Sequence, residues 1–294
     1  MELRQLRYLV ALDEERSFTR AAGKVLVAQP ALSQQIAKLE AELGVPLVDR
    51  TTRRVAMTEA GDRLVEHARR VLREVDVAEE EIADLAGVRG GRLTIGASQT
   101  VGGFDLLGLL ETFHRRYPDV DLALREDLSI SLAGQLRNDE LDLGFITIPE
   151  GPATEGLDRR LVSREDMVAV LPIGHELGGR PDLRITDLED ETVVTFRHGA
   201  TIRRRLDEAA QRAGIDLRVA FETNEVTRMR AIAAAGLAIA ILPRTDAEQP
   251  GPPVTAVRFD EPGFRHSVYM CARAGRHHSP AARALIDLTP AAEG

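Results

Sequence analysis

The sequence predicts an α/β protein in three parts: a small helical unit, one long helix, and a larger domain of alternating strands and helices. Three patterns support this order. Apolar residues recur at helical spacing up to Gly44, then at heptad spacing, and then in short strand-like runs separated by helical segments. A chain of 294 residues with 44% hydrophobic content has room for two or three such units.

Two short helices are expected at the N-terminus. The spacing of Leu3, Leu6 and Val10 predicts the first amphipathic helix. Ser17 suits the cap of the second helix, because its hydroxyl can accept a hydrogen bond from a free backbone N–H. The side chains expected to face the core from this helix are Phe18, Ala21, Ala22 and Val25.

A third helix, predicted from Gln29 to Leu43, has an apolar back and a polar front. Pro30 is tolerated in its first turn, Gly44 is the expected stop, and Pro46 enforces it. The stripe expected to be buried is Leu32, Ile36, Leu39 and Leu43. The exposed front is Gln29, Ser33, Gln34 and Lys38. Such a front is what reading the major groove of double-stranded DNA requires, so this helix indicates DNA binding.

The segment from Val45 to Met57 suits a short hairpin, which would complete a winged helix-turn-helix. Its tip would place Arg50, Arg53 and Arg54 beside the phosphate backbone. Charge alone does not support DNA binding. Residues 1–60 contain nine Lys/Arg and eight Asp/Glu, a net charge of +1, and the remainder contains 29 Lys/Arg and 39 Asp/Glu, a net charge of -10. Any contact with DNA must therefore rely on placed residues.

The next helix, expected to be capped by Thr58, carries a heptad stripe. Its apolar members are spaced alternately by four and three residues, and Glu, Asp and Arg dominate the positions between them. The members are Leu64, Ala68, Val71, Val75, Ala78, Ile82 and Leu85. So narrow a stripe favours pairing with a second copy, which makes this a dimerisation helix. The alternative is a helix that lies on its own globular domain.

Beyond a glycine-rich linker (Gly87 to Arg92), strands and helices alternate in two similar sets. Alternation of this kind predicts parallel sheets with helices on both faces, and two sets predict two subdomains with a cleft between them. The predicted strands are Leu93–Gly96, Val120–Arg125, Leu141–Thr147, Val168–Leu171, Val193–Thr195, Leu217–Phe221, Ala238–Leu242 and Ser267–Ala272. The predicted helices are Phe104–Arg116, Leu132–Asn138, Ile202–Ala213 and Val226–Ala235.

These patterns give expected domain boundaries. A DNA-binding domain would span residues 1–58, a linker helix 59–89, and an effector-binding domain 90–294. Within the last, subdomain I would comprise about 90–161 and 267–294, and subdomain II about 162–266.

Composition narrows the function classes. No apolar run reaches the roughly 18 residues of a membrane span, and the N-terminus lacks a signal-peptide pattern, so we expect no membrane association and a cytoplasmic location. Cys271 is the only cysteine and no Cys/His cluster has zinc spacing, so we expect neither a disulfide nor a metal. Because Cys271 stands alone within the predicted strand Ser267–Ala272, we expect it to lie in the core rather than to sense oxidants. No nucleophile elbow or phosphate loop is present, and we expect neither an enzyme nor a cofactor.

The residues AAGKVLVAQPALSQQIAKLEAELG, from Ala21 to Gly44, resemble the DNA-binding signature of LysR-type transcriptional regulators. The resemblance continues through Thr58 to Gly61, and through the segments Leu141 to Gly144 and Ala235 to Ala238. It implies a periplasmic-binding-protein-like effector domain and a homodimer joined through the linker helix that assembles into a homotetramer. It also implies a ligand-switched activator or repressor, with RNA polymerase as a further partner if the chain activates transcription.

The resemblance also assigns site residues. The base-reading face maps onto Gln29, Pro30, Ser33 and Gln34, and the wing contacts onto Arg53 and Arg54. Two positions depart from the common pattern: Gln34 stands where the family often has Arg, and Val48 where it usually has Phe. Because Gln pairs best with adenine and Arg with guanine, Gln34 is expected to shift base preference.

The effector site is expected where polar residues follow strands. Glycines and hydroxyls in the segment from Gly96 to Gly103 would bring a ligand close to backbone N–H groups at a helix start, which favours a carboxylate. The expected ligand residues are Ser98, Gln99, Thr100, Ser129, Thr147, Thr195, Arg197 and Thr223, of which Arg197 would pair with the carboxylate. For each of them the alternative is ordinary turn capping. A small-molecule sensor without direct DNA regulation is the rival function, but it would not need residues 1–60.

Overall fold

The computed structural model describes residues 1–49, 55–85, 90–147 and 154–292. The chain divides into two compact units. The first comprises Met1–Gly90 with Asn138–Glu140, and the second comprises Gly91–Arg137 with Leu141–Gly294. Arg50, Arg53 and Arg54 of the predicted wing and most of the predicted glycine-rich linker lie outside the described residues.

The first unit is a winged helix-turn-helix followed by one long helix. Its elements in chain order are α1 (Leu3–Glu15), α2 (Phe18–Lys24), α3 (Gln29–Leu43), β1 (Val48–Asp49), β2 (Ala56–Met57) and α4 (Glu59–Leu85). Strands β1 and β2 pair antiparallel, with Val48 opposite Met57, and form the base of the predicted hairpin. The capping predictions are confirmed: Ser17 Oγ accepts from the Arg20 N–H at 3.4 Å and Thr58 Oγ1 from the Gly61 N–H at 3.0 Å.

The core of this unit lies where α1, α2 and α3 meet. The prediction for α3 is confirmed at Leu32, Ile36 and Leu39, which are fully buried, but it is wrong at Leu43, which is 42% exposed. The chain reverses at Gly44, whose φ of 72° favours glycine. The returning segment is held by the Glu40 carboxylate, which accepts from the N–H groups of Leu47 and Val48, and Leu43 lies outside the buried cluster. Leu3 is likewise exposed, at the first residue of α1.

The second unit is an α/β domain with one continuous mixed sheet. Its strands are β3 (Gly91–Ala97), β4 (Val120–Glu126), β5 (Leu143–Ile146), β6 (Leu157–Pro172), β7 (Thr192–Thr195), β8 (Arg218–Glu222), β9 (Ile239–Pro243), β10 (Val254–Arg258) and β11 (Arg265–Arg273). Its helices are α5 (Leu106–Arg116), α6 (Ser129–Arg137), α7 (Thr201–Ala213), α8 (Val226–Ala234), α9 (Arg244–Ala247) and α10 (Pro280–Leu288). Two short 3-10 helices cover Glu176–Gly179 and Ile185–Leu188.

The sheet corrects the prediction of purely parallel pairing. Its order is β4-β3-β5-β11-β6-β9-β7-β8, with β10 also paired to β6. The outer strands are parallel, as predicted, since β3 pairs with β4 and β5, and β7 with β8 and β9. The middle strands β6 and β11 pair antiparallel with each other and with their other neighbours. Their partners are distant in sequence, so the alternation of consecutive strands and helices does not predict how they pair.

Strand β6 divides the second unit into two lobes. From Leu157 to Asp166 it pairs with β11, and from Met167 onwards it pairs with β9 and β10. Each lobe has its own apolar cluster: the first is built on β3, β5, α5 and α10, and the second on β7, β9, α7 and α8. Helices cover both faces of the sheet in the first lobe, because Leu143 and Phe145 of β5 face that cluster whereas Ile146 joins another beneath α6.

A buried ion pair ties the start of β5 into the first lobe. Arg276 Nη2 donates to Asp142 Oδ1 at 3.1 Å, and each side chain is only 1% exposed. The second carboxylate oxygen accepts from the backbone N–H of Thr94 in β3 at 2.8 Å. Since both charges are out of water, their mutual attraction offsets part of the desolvation of each. No helix in the described part of the chain is long and apolar enough to cross a membrane.

Removing one member of this pair should be costly. Asp142→Ala removes a buried carboxylate that accepts from both Arg276 and the Thr94 N–H, and should lower the free energy of unfolding by about 3–5 kcal/mol. Glu111→Ala breaks an exposed pair with Arg115 and should cost about 0–1 kcal/mol. Urea unfolding of both variants checks this, and equal losses would contradict it.

Candidate functional site

The front of α3 forms an exposed polar surface in the first unit. Gln29, Pro30, Gln34 and Lys38 are exposed and Ser33 is half-buried. The N-cap residue, Ala28, makes no side-chain cap hydrogen bond, so the first N–H groups of the helix are not occupied by a capping side chain. Pro30 has no N–H and the Ala31 N–H donates to the Ala28 carbonyl at 3.0 Å, so it is mainly the helix dipole that favours an anion such as a DNA phosphate at this end.

Local ion pairs keep this unit from being broadly basic. Lys38 Nζ lies 3.6 Å from the Glu2 carboxylate, and Lys24 Nζ lies 2.7 Å from that of Glu14. The hydrogen bond from Lys24 to Glu14 raises the pKa of the lysine. Basic side chains are therefore partly balanced beside α3, and the polar groups on its front are the more specific feature.

The long helix α4 (Glu59–Leu85) lies within the predicted linker helix of residues 59–89, whose residues 86–89 are outside the described part of the chain, and part of its heptad stripe is uncovered. Ala68 is buried, and Leu64 and Val75 are half-buried. Val71 is 43% exposed and Ile82 is 66% exposed. The side chain of Leu85 lies outside the described part of the chain. Along much of α4 the apolar stripe thus faces solvent in the single chain.

In the second unit a pocket opens between the two lobes. The pocket is narrow in this structure: its cavity volume is about 30 Å³, well below the roughly 300–1,000 Å³ of small-molecule sites, so a ligand would have to widen it. The first lobe contributes Ser98, Gln99, Thr100, Asp127, Leu128, Ser129 and Thr147. The second lobe contributes Phe196, Ala200, Thr201 and Ile202. Five predicted ligand residues therefore meet in one wall: Ser98, Gln99, Thr100, Ser129 and Thr147.

The walls combine fixed polar groups with two helix starts. Ser98 Oγ donates to the Thr100 carbonyl at 3.1 Å and is thereby oriented. Thr147 Oγ1 is buried and has no hydrogen-bond partner within the described residues. Thr201 Oγ1 donates to the Thr147 carbonyl at 2.8 Å and joins the lobes. Helices α6 and α7 begin at Ser129 and Thr201, so both direct N-terminal N–H groups to this region.

The other three predicted ligand residues are not in these walls. Thr195 and Thr223 are buried, and the Thr223 N–H donates to the Thr195 carbonyl at 3.1 Å. Arg197 is exposed, and its backbone N–H donates to Asn224 Oδ1. The sequence analysis did not name Asp127 or Ile202 as ligand residues. Asp127 follows β4, so the rule that polar residues after strands line a cleft could have found it.

Glu165, beside the point where β6 changes partners, holds the loop behind the pocket. Its carboxylate accepts from the Gly103 N–H at 2.9 Å and from the Thr245 N–H at 2.7 Å. Gly102 has a φ of 56°, and a Cβ there would come within 2.2 Å of Glu165 Oε1 and 2.8 Å of His266 Cδ2. Only glycine fits between these two side chains. Glu165 thus connects the loop after β3 to the start of α9 in the second lobe.

Two buried groups beside Glu165 have shifted pKa values. Burial, with the nearby Glu165 charge as a smaller cause, raises the pKa of Asp246 to about 7. Gln249 donates to Asp246 Oδ1 at 3.1 Å and partly opposes the shift. Burial lowers the pKa of His266 to about 4, with the Arg205 charge as a smaller cause. At neutral pH, His266 is therefore uncharged.

A helix-turn-helix unit with a long helix, followed by a two-lobed domain with a pocket between its lobes, defines an effector-responsive DNA-binding regulator. Comparisons with known proteins agree. Residues 3–62 match the bacterial regulatory helix-turn-helix protein, lysR family, and residues 86–292 match the LysR substrate binding domain. The chain belongs to the LysR family of transcriptional regulators, which is non-enzymatic. In the described residues no group of His, Cys, Asp and Glu side chains is placed to hold a metal ion.

Sequence relatives and solved structures both match most of the chain. It is 34% identical over 248 residues to the HTH-type transcriptional regulator BudR of Raoultella terrigena, covering 83% of this chain and 85% of BudR. It is 36% identical over 243 residues to a hydrogen peroxide-inducible genes activator of Dickeya chrysanthemi, covering 83% and 79%. A solved structure of full-length OxyR from Pseudomonas aeruginosa, a cysteine-to-aspartate variant, has a TM-score of 0.77 at 27% identity, covering 98% and 93%.

The raised pKa of Asp246 predicts a specific pH dependence. The folded chain keeps a proton that the unfolded chain loses near its ordinary pKa of 3.8, so this group stabilises the fold below about pH 4. That contribution is lost as the pH rises to about 7. Asp246→Asn should remove this loss, so its stability relative to wild type should rise between pH 4 and 7, by at most roughly 4 kcal/mol.

Urea unfolding at several pH values from 4 to 8 measures this difference. His266 gives the wild type an opposite slope, because its lowered pKa makes stability rise between about pH 4 and 6.5. With Asp246 replaced, that rise should become visible. Parallel profiles for wild type and Asp246→Asn would refute the prediction.

Proposed function

We propose that this regulator reads its operator with the front of α3 and is switched by a small carboxylate effector held between the two lobes. The observation that carries the effector proposal is the pocket itself. Its walls come from both lobes, and seven of its residues are polar groups that follow strands or start helices. A ligand there would touch both lobes at once.

The chemistry of the walls favours a carboxylate recognised without an arginine. The starts of α6 and α7 supply N–H groups and a partial positive charge, and the buried Thr147 hydroxyl can donate. The Asp127 carboxylate would oppose an anion, but it already accepts from the Leu128 N–H at 2.7 Å and the Ser131 hydroxyl at 2.6 Å. Phe196 and Ile202 offer apolar contact for the rest of the ligand.

The switch we propose is a shift between two arrangements of the lobes. The bond from Thr201 to the Thr147 carbonyl joins the lobes beside the pocket. A ligand that contacts both sides has a higher affinity for the arrangement that makes room for it, and stabilises that arrangement. The change would alter how paired chains present α3 along the DNA, which couples effector binding to operator binding.

We infer that the chain acts as a homodimer through α4 and as a homotetramer through the second unit. Exposed Val71 and Ile82 lie on the heptad stripe of α4, and a second α4 would cover them. In the second unit, the edge strands β4 and β8 expose Leu124 and Phe221. Edge strands with exposed apolar residues favour pairing with another chain.

Peroxide sensing, named for one group of relatives, is not favoured here. Cys271 is the only cysteine of the chain and is buried in β11 beneath α6. Burial raises the pKa of its thiol to about 12, so the reactive thiolate is scarce at neutral pH. A buried thiol without a second cysteine cannot form the intramolecular disulfide that a cysteine pair would.

Calorimetry on the full-length chain tests the effector proposal. Aromatic and aliphatic carboxylates should bind, and their neutral amides should bind at least about 10-fold more weakly, since hydrogen bonds to a charged group contribute about 1.5–3 kcal/mol. Thr147→Val and Ser129→Ala should weaken carboxylate binding, whereas Thr255→Val on β10 should not. Equal binding of acids and amides would refute the anionic effector, and unchanged affinity in both pocket variants would refute the site.

Operator reading makes a second prediction. Gln34→Ala should lose about 1–3 kcal/mol on the operator and little on random duplex, because a side chain that reads a base contributes only where that base is present. Arg54→Ala should weaken binding to both and reduce the salt dependence, as expected for a phosphate contact. Fluorescence anisotropy at several salt concentrations measures both effects. Equal losses on operator and random DNA for Gln34→Ala would remove it from the reading face.

A further inference from the structure

Leu26, in the turn between α2 and α3, combines two unfavourable features. Its side chain is 91% exposed. Its backbone has a φ of 55°, the left-handed conformation that glycine and asparagine adopt more readily. An isolated exposed leucine is ordinary on a protein surface. A fully exposed leucine on a strained backbone is not, because neither feature helps the chain to fold.

The fold uses the turn at this position but not the side chain. Val25 and Val27 on either side pack against the core of the first unit. The Leu26 N–H donates to the Gly23 carbonyl at 3.3 Å, and the Val27 N–H donates to the Ala22 carbonyl at 3.0 Å. Glycine or asparagine at this position would make the same turn with less strain.

Leu26 lies beside the end of α3 that would enter DNA. In helix-turn-helix proteins the first residues of the recognition helix contact the base edges. Residues 28–31 are all exposed and continue from Leu26 to that end of the helix. Leu26 is three residues before Gln29, so their Cα atoms are at most about 11 Å apart, comparable to the ~12 Å width of the major groove. Leu26 is therefore close enough to this end of α3 for its side chain to contact the wall of a groove that receives the helix.

We propose that Leu26 is an apolar DNA contact that packs on a thymine methyl group or an adjacent deoxyribose at the edge of this groove. Both are apolar surfaces of duplex DNA, and thymine is the base that presents a methyl group in the major groove. Burying an exposed leucine against either removes apolar surface from water only in the complex. The proposal rests on the docking of α3 proposed above.

The test compares Leu26→Asn and Leu26→Gly with wild type in the full-length chain. The probe is a duplex selected by wild type from a random library. Both variants should bind it about 3- to 10-fold more weakly, the loss expected for one apolar contact. Their thermal unfolding midpoint should stay the same or rise, because the backbone strain is relieved. Leu43→Asn, which changes an exposed leucine at the opposite end of α3, should leave affinity unchanged.

Replacing the thymines of the duplex one at a time by deoxyuridine separates the two surfaces. For a methyl contact, one replacement should weaken wild type and leave Leu26→Gly unaffected. For a sugar contact, wild type should tolerate every replacement while Leu26→Gly stays weaker on all duplexes. Wild-type affinity in both Leu26 variants would overturn the proposal.

Gln34→Ala on the same duplex distinguishes failure of this proposal from failure of the docking on which it rests. If Gln34→Ala weakens binding and the Leu26 variants do not, only the Leu26 contact fails. If neither has an effect, the docking of α3 fails and the Leu26 contact fails with it.

Discussion

The second unit depends on the antiparallel pairing of β6 with β11. Strand β6 runs for 16 residues through both lobes, exchanging β11 for β9 and β10 as it passes Asp166. Backbone hydrogen bonds along such a strand resist stretching and shearing, so relative motion of the lobes is confined to bending near that exchange. The Glu165 carboxylate lies at this place and holds backbone from both sides of it. The pocket therefore has walls that can close without either lobe losing its core.

The sequence predicted the structure best where a residue type has a single structural role. The bounds of α3 follow from Pro30 in its first turn and Gly44 after its last, and both are confirmed. Strand β6 was predicted only over Val168–Leu171, because the residues before Met167 include Arg159, Arg164 and Asp166 and lack an apolar run. Its pairing comes from a distant partner, β11, and no local pattern reveals that. Helix α10 was likewise not predicted.

The candidate pocket was also predicted only in part. The rule that polar residues after parallel strands meet at one edge brought Ser98, Ser129 and Thr147 together correctly in space. It could not decide which residues of the turn from Thr195 to Thr201 face inward. There the backbone turns Phe196 into the pocket wall and leaves Arg197 in solvent. The Arg197 guanidinium, which was expected to pair with a ligand carboxylate, therefore lies outside the pocket. Direction within a turn depends on tertiary packing, which the local sequence does not encode.

The burial of Cys271 has a practical side. Because its single thiol is buried and rarely ionised, the native chain reacts little with thiol-directed probes. A cysteine introduced at an exposed position on each lobe, such as Leu107 and Leu237, would be labelled selectively without first removing the native one. A pair of dyes placed in this way would follow the separation of the lobes in real time. The distance between such dyes would show whether an effector changes the separation of the lobes.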